Sequence, residues 1–126
     1  MPAVARGGGQ DTVSTGHGCD TVTATQQGSL NVFVNGYGAC RIGDALQPHT
    51  FLVGNQCIPH IAVINTGSSS VFVNGIGISR LGDSADQGFI LTGSSNVFAG
   101  TKGFILITQD GFTLITEDEY EYEGNS

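Results

Sequence analysis

An all-β fold of small hairpins is what this sequence predicts, and three observations predict it. Of 126 residues, 20 are glycine, more than twice the usual share of about 7%; each interior glycine costs a helix roughly 1 kcal/mol relative to alanine. Short β-branched and aromatic runs recur between Asn-Gly and Asp-Gly pairs, which are hairpin signals. A segment of 17 residues also repeats without a gap, and repetition of this kind is read before anything else.

The first copy, 28–44, reads GSLNVFVNGYGACRIGD, and the second, 67–83, reads GSSSVFVNGIGISRLGD, with 11 of 17 positions identical at an offset of 39 residues. In each, a strand (Val32-Phe33-Val34, Val71-Phe72-Val73) runs into Asn-Gly (Asn35-Gly36, Asn74-Gly75). A type I′ turn there needs positive φ at both central residues, which Asn and Gly supply. The chain returns from Tyr37 to Ile42, or from Ile76 to Leu81, and Gly-Asp ends the unit (Gly43-Asp44, Gly82-Asp83). Alternation puts Val32 and Val34 on one face and Phe33 on the other. A third copy, GSSNVFAG at 93–100, breaks off after its first half. A lone hairpin is marginal in water, so the repeats are expected to close around a shared axis as a compact, pseudo-symmetric β-structure.

Two further near-identical runs, GFILIT at 103–108 and GFTLIT at 111–116, flank Asp110-Gly111 and predict one more hairpin. They begin an extension, 101–126, beyond a repeat domain of 1–100. The extension ends in an acidic tail in which Glu117, Asp118, Glu119, Glu121 and Glu123 supply five of the chain's negative charges. The net charge is −7, of which only −2 belongs to residues 1–116. Tyr120 and Tyr122 alternate with the acids, but mutual repulsion predicts a solvated tail.

Several function classes are set aside at this level. With Arg6, Arg41, Arg80 and Lys102 as the only cations, the chain lacks an electrostatic footprint for nucleic acid. It has no apolar run long enough for a transmembrane helix. The start, MPAVARGGGQ, lacks a signal-peptide core, so a cytoplasmic site of synthesis without export by that route is expected. Gly7-Gly8-Gly9 and Gly36-Tyr37-Gly38 lack the context of a phosphate loop. Asp44 and Asp83 occupy turns where Asp serves local hydrogen bonding, and Arg41 and Arg80 are expected to pair with such acids. No nucleophile and base stand together, so the chain is not read as an enzyme.

The chemistry that remains is metal binding. All three histidines (His17, His49, His60) and all three cysteines (Cys19, Cys40, Cys57) lie in the first 60 residues. The odd cysteine count makes no disulfide framework. Zinc favours four nitrogen and sulfur ligands in a closed tetrahedron. His17, His49, Cys57 and His60 would form one, stapling loops together. Cys19, two residues from His17, competes with Cys57 for ligand status. Cys40 aligns with Ser79 and reads as a small buried residue.

The start MPAVAR, the loop Gly16-His17-Gly18, the units VFVNG-YGACR-IGD and VFVNG-IGISR-LGD, and the truncated GSSNVFAG together resemble the PAAR-repeat family across residues 1–100. The tetrapeptides matching the family's Pro-Ala-Ala-Arg are Gly38-Ala39-Cys40-Arg41 and Gly77-Ile78-Ser79-Arg80, which keep only the arginine. The resemblance implies a small cone of β-hairpins with approximate three-fold pseudo-symmetry, metal-stapled near its apex. It implies His17, His49, Cys57 and His60 as ligands of zinc, with iron the less favoured metal. It also implies a job: capping and sharpening the trimeric β-helical spike of a contractile injection apparatus, one copy per trimer, to pierce a host envelope. Without an appended enzymatic domain, the chain looks most like the baseplate spike tip of a phage virion. A type VI secretion spike tip and a small zinc-binding adaptor are the alternatives.

Overall fold

The structure, a computed structural model, describes residues 1–100 and the strands 105–107 and 114–116. It is all-β: among the described residues there is no helix. The described residues form thirteen short strands: β1 (Thr12–Ser14), β2 (Val22–Ala24), β3 (Phe33–Val34), β4 (Tyr37–Gly38), β5 (His49–Val53), β6 (Gln56–His60), β7 (Phe72–Val73), β8 (Ile76–Gly77), β9 (Ser84–Ala85), β10 (Gly88–Ile90), β11 (Val97–Ala99), β12 (Ile105–Ile107) and β13 (Leu114–Thr116). They form a four-stranded antiparallel sheet in the order β2-β1-β10-β9, a three-stranded one in the order β11-β12-β13, and three two-stranded hairpins.

The repeat hairpins form as their local chemistry dictates. Asn35 and Gly36 lie at φ 55° and 84°, and Asn74 and Gly75 at 56° and 80°, the left-handed pair a type I′ turn requires. Register follows: Phe33 faces Gly38 and Phe72 faces Gly77. Val34 and Val73 are buried while Phe33 and Phe72 are exposed. The expected alternation therefore holds at these positions, but Val32 departs from it and stays 38% exposed.

The third copy is not truncated in space. Its missing half comes from the N-terminus, where Phe98 bridges Ala3 as Phe33 meets Gly38 and Phe72 meets Gly77. The segment Val4-Ala5-Arg6 thereby stands where Ala39-Cys40-Arg41 and Ile78-Ser79-Arg80 stand in the other two. Three backbone bonds close a ring through them: Cys40 N to Ala5 O at 3.1 Å, Ser79 N to Cys40 O at 2.9 Å, and Ala5 N to Ser79 O at 3.0 Å. Val4, Ala39 and Ile78, next to those residues in the chain, pack in one core cluster with Val34, Val71, Val73, Val97 and Ala99. A second cluster, Ala5, Val13, Cys40, Leu46, Ile64, Ala85 and Ile90, lies beside it.

Each of the three segments ends on the same clamp. Arg41 and Arg80 pair with Asp44 and Asp83, as expected, each carboxylate taking the arginine's backbone N–H and its guanidinium. Arg6 does the same with Asp11. The guanidinium's free arm meets an asparagine in two cases, Arg6 Nη1 to Asn35 Oδ1 and Arg41 Nη1 to Asn74 Oδ1. In the third copy Gly100 occupies the asparagine's place. Ser68 Oγ donates to the Gly100 carbonyl where Ser29 and Ser94 donate to Asn74 and Asn35. Arg80 Nη1 is left buried without a partner, and so is Ser70 Oγ, at the position where Asn31 and Asn96 accept from the asparagine amides. These two of the three buried side-chain atoms without a partner among the described residues thus trace to one missing side chain; the third is Ser79 Oγ.

No Phe or Tyr is among the buried side chains of the described residues, and the core is mainly Val, Ala and Ile. Burial of such side chains yields at most about 1.5–3 kcal/mol each, so cross-links carry unusual weight here. Cys40 is buried as expected; burial, with Asp44 and Asp11 nearby, pushes its thiol up to about 12. The native protein is therefore expected to resist maleimide, and to take up one label per chain only after unfolding. Fast native labelling, read by intact mass, would contradict this packing.

Strand β12 pairs with β13, Ile105 facing Thr116, as the near-identical runs suggest, and also with β11, Val97 facing Ile107. The turn at Asp110-Gly111 and the acidic tail from Glu117, with Tyr120 and Tyr122, lie outside the described residues.

Candidate metal centre

Three pieces of chain meet at the site. The first is the β5–β6 hairpin, turned at Gly54 (φ 61°), in which His49 faces His60 across the strands and Phe51 faces Ile58. Alternation puts His49, Phe51, Ile58 and His60 on one face. The second is the loop 15–20, which carries His17. Thr15 Oγ1 donates to the Asp20 carbonyl at 2.7 Å, and Asp20 in turn accepts from the N–H and hydroxyl of Thr50 on β5. Those two bonds hold the Asp20 carboxyl below the usual carboxylate range. The third is the turn Asp86-Gln87 between β9 and β10, with Asp86 at φ 55°.

Glycine permits the loop and the turn to touch. A Cβ on Gly16 would run into the Gln87 carbonyl, and one on Gly88 into that of Ser14. Close approach of the two backbones brings Asp86 under the imidazoles.

Ligand atoms converge at the meeting point. Asp86 Oδ2 lies 2.8 Å from His17 Nε2, 2.7 Å from His49 Nε2 and 3.5 Å from His60 Nε2. His60 Nε2 is 2.9 Å from His49 Nε2 and 3.2 Å from His17 Nε2. The side chains of His17, His49 and Asp86 are at most 8% exposed; that of His60 is 25% exposed. The Phe51 ring, 4.4 Å from the His60 ring, covers part of its open side.

Chemistry asks for a cation here. His17 Nδ1 lies 3.0 Å from the Gly18 carbonyl and His49 Nδ1 lies 2.9 Å from the Gln47 carbonyl. A carbonyl oxygen only accepts, so each Nδ1 carries the proton. In the neutral ring Nε2 then presents a lone pair, and it points at a carboxylate oxygen that is also an acceptor. Such contacts need a proton or a metal ion between them. The proton is one answer. Burial works against a charged His17, but the Gly18 carbonyl and Asp86 outweigh it and raise its pKa. The same histidines, His49 first, pull the Asp86 carboxyl down against the effect of burial. A divalent ion is the other answer, with backbone carbonyls orienting the imidazoles as partners outside a metal's ligand shell do. His17, His49, His60 and Asp86 form a group that can hold a metal ion.

The structure brings together the three histidines singled out from sequence and sets Asp86, not Cys57, beside them. Cys57 is bonded to Cys19, so the tetrahedron of His17, His49, Cys57 and His60 does not form; the odd cysteine count makes no framework but leaves room for this one bond. The reason is strand phase. Cys57 and His60 lie not in a loop but on β6, three residues apart, and an odd separation puts them on opposite faces. Cys57 shares its face with Leu52, its cross-strand partner, where Cys19, at φ 68°, reaches it. Asp86 carried no signal in the sequence, since an acid in a turn ordinarily serves its own backbone. No protein-family model matches the chain, and no curated protein matches it.

Proposed function

We propose that this protein is a structural tip: a conical cap, stapled by zinc at His17, His49, His60 and Asp86, that seats on the blunt end of a trimeric β-helical spike. The observation that carries this reading is the closed ring of backbone bonds through Ala5, Cys40 and Ser79. One chain there brings three similar segments together, as a single copy seated on a trimer would need. Phe33 and Phe72, more than half exposed at equivalent positions of the repeat hairpins, supply apolar anchors for such a seat. The resemblance to PAAR-repeat proteins supports the same reading, with the tip of a phage tail baseplate as its place and envelope piercing as its mechanical task. A small aliphatic core gives limited rigidity, and a closed metal site adds it, because metal binding free energy contributes directly to folding.

Native mass spectrometry of the complex with its trimeric spike is the test. One copy per trimer is expected, and three copies would overturn the reading. Phe33→Glu with Phe72→Glu is expected to abolish the complex while leaving the melting temperature of the isolated protein within a few degrees; unchanged binding counts equally against it.

A further inference from the structure

We propose that the Cys19–Cys57 disulfide is the positioning element of the metal site, presetting its ligands so that the affinity for the ion depends on the oxidation state of these two cysteines. The inference rests on the metal reading above and concerns what assembles the site.

Its ligands come from three separate pieces of chain, and two of those are tied to the body by backbone bonds. Asp86 sits in a turn whose N–H donates to the Val63 carbonyl and whose own carbonyl accepts from Asn65. Gln87 N donates to Thr15 O, anchoring the start of the His17 loop to that turn. The β5–β6 hairpin is held by less: among the described residues one backbone bond joins its strands to the rest, Asp20 N donating to the Thr50 carbonyl at 3.2 Å. It is a two-stranded ribbon that joins no larger sheet, with Leu52 and Val53 about half exposed near its end. Two-stranded ribbons are marginal on their own. His49 and His60 stand at its base, at the last cross-strand pair, so any swing of the ribbon moves two ligands together.

The disulfide restrains that swing. It joins Cys57, three residues before His60, to Cys19, two residues after His17. It therefore ties the loop that carries His17 to the ribbon that carries the other two imidazoles, on the ribbon face opposite them. On the opposite face the Phe51 ring packs against the rings of His60 and His17. The Asp20–Thr50 bonds reinforce the link, but they are exposed to water. Preorganisation of this kind raises affinity by removing the ordering cost at the moment of binding. It also explains a site with nitrogen and oxygen donors only. A thiolate ligand and a disulfide exclude each other, and a centre that keeps its cysteines out of the ligand set tolerates oxidising surroundings.

The test is zinc affinity, measured by competition with a chromophoric chelator at 25 °C. Oxidised wild type is compared with the Cys19→Ser/Cys57→Ser variant and with wild type reduced by a phosphine. Reduction breaks the S–S bond and gives two thiols; the phosphine supplies two electrons and becomes its oxide, with water providing the oxygen and both protons. One ion per chain is expected in all three samples, with affinity at least tenfold weaker and release faster without the disulfide. Equal affinities overturn the proposal and leave the metal site standing; no binding in any sample overturns the metal site itself. A purely structural disulfide would lower the melting temperature without moving the affinity measured far below it. Cobalt spectra separate the remaining case: a sulfur-to-cobalt band in the reduced protein would make Cys57 a ligand there and overturn the positioning role. If the double variant does not fold, the reduced wild type carries the comparison alone.

Discussion

His49→Ala is expected to lower the melting temperature in zinc-containing buffer by roughly 15 °C or more, the largest effect of any single substitution at the site. At free zinc a thousandfold above its dissociation constant, binding to the native state alone adds about 4 kcal/mol. For a domain of this size each kcal/mol moves the melting temperature by roughly 4–8 °C. His49 is the most buried of the three imidazoles and makes the shortest contact with Asp86, 2.7 Å. Removing it takes away a ligand and leaves a buried carboxylate with one partner fewer. A chelator should bring wild type down toward the variant while leaving the variant where it was. Calorimetry with and without chelator reads both. A wild type indifferent to the chelator would show that protons, not an ion, join His17 and His49 to Asp86.

Acidification should act in the same direction as the chelator. An ion must displace the proton that Asp86 and the Gly18 carbonyl favour on His17, whose pKa is raised above the ordinary histidine value. Affinity is therefore expected to be full well above that raised pKa and to fall as pH drops through it.

How much of this could be read beforehand depends on how local each cause is. The hairpins at Asn35-Gly36 and Asn74-Gly75 were legible because a type I′ turn is decided by two adjacent residues. The histidines were legible as a set because imidazoles are rare in this chain and all three fall in its first half. Cys57 was misplaced because its role turns on strand phase. Once 56–60 is a strand rather than a loop, Cys57 and His60 must part, and nothing within Cys57-Ile58-Pro59-His60 announces the strand. Asp86 was not legible, since it reaches the site only through the packing of Gly16 against Gln87, across some 70 residues of chain. Nor was the N-terminal completion of the third repeat. Val4-Ala5-Arg6 aligns with Ala39-Cys40-Arg41, but the acid that follows is displaced: Asp44 comes three residues after Arg41, whereas Asp11 comes five after Arg6.

That displaced acid carries the second large effect. Asp11→Ala is expected to destabilise the protein by about 3–5 kcal/mol, the usual cost of breaking one side of a buried ion pair. Asp11 is fully buried. Its Oδ2 accepts from the backbone N–H and Nε of Arg6 at 2.7 and 2.9 Å, and its Oδ1 from Arg6 Nη2 at 3.0 Å and Thr92 Oγ1 at 2.8 Å. Gly8 and Gly9, at φ 71° and 77°, turn the chain back so that those bonds can form. Without the carboxylate, the Arg6 side chain, only 15% exposed, keeps its charge and loses its counterion. Ala5, the residue just before Arg6, closes the ring of backbone bonds with Cys40 and Ser79. Asp44→Ala should cost less, because both partners of its pair are more exposed, at 19% and 14%. Arg6→Met/Asp11→Leu should recover part of the loss, since an apolar pair leaves no charge stranded. Urea unfolding of the three variants decides the matter. A loss below 1 kcal/mol for Asp11→Ala, or a double variant no better than the single, would mean that the N-terminal segment is held by its backbone bonds and not by this clamp.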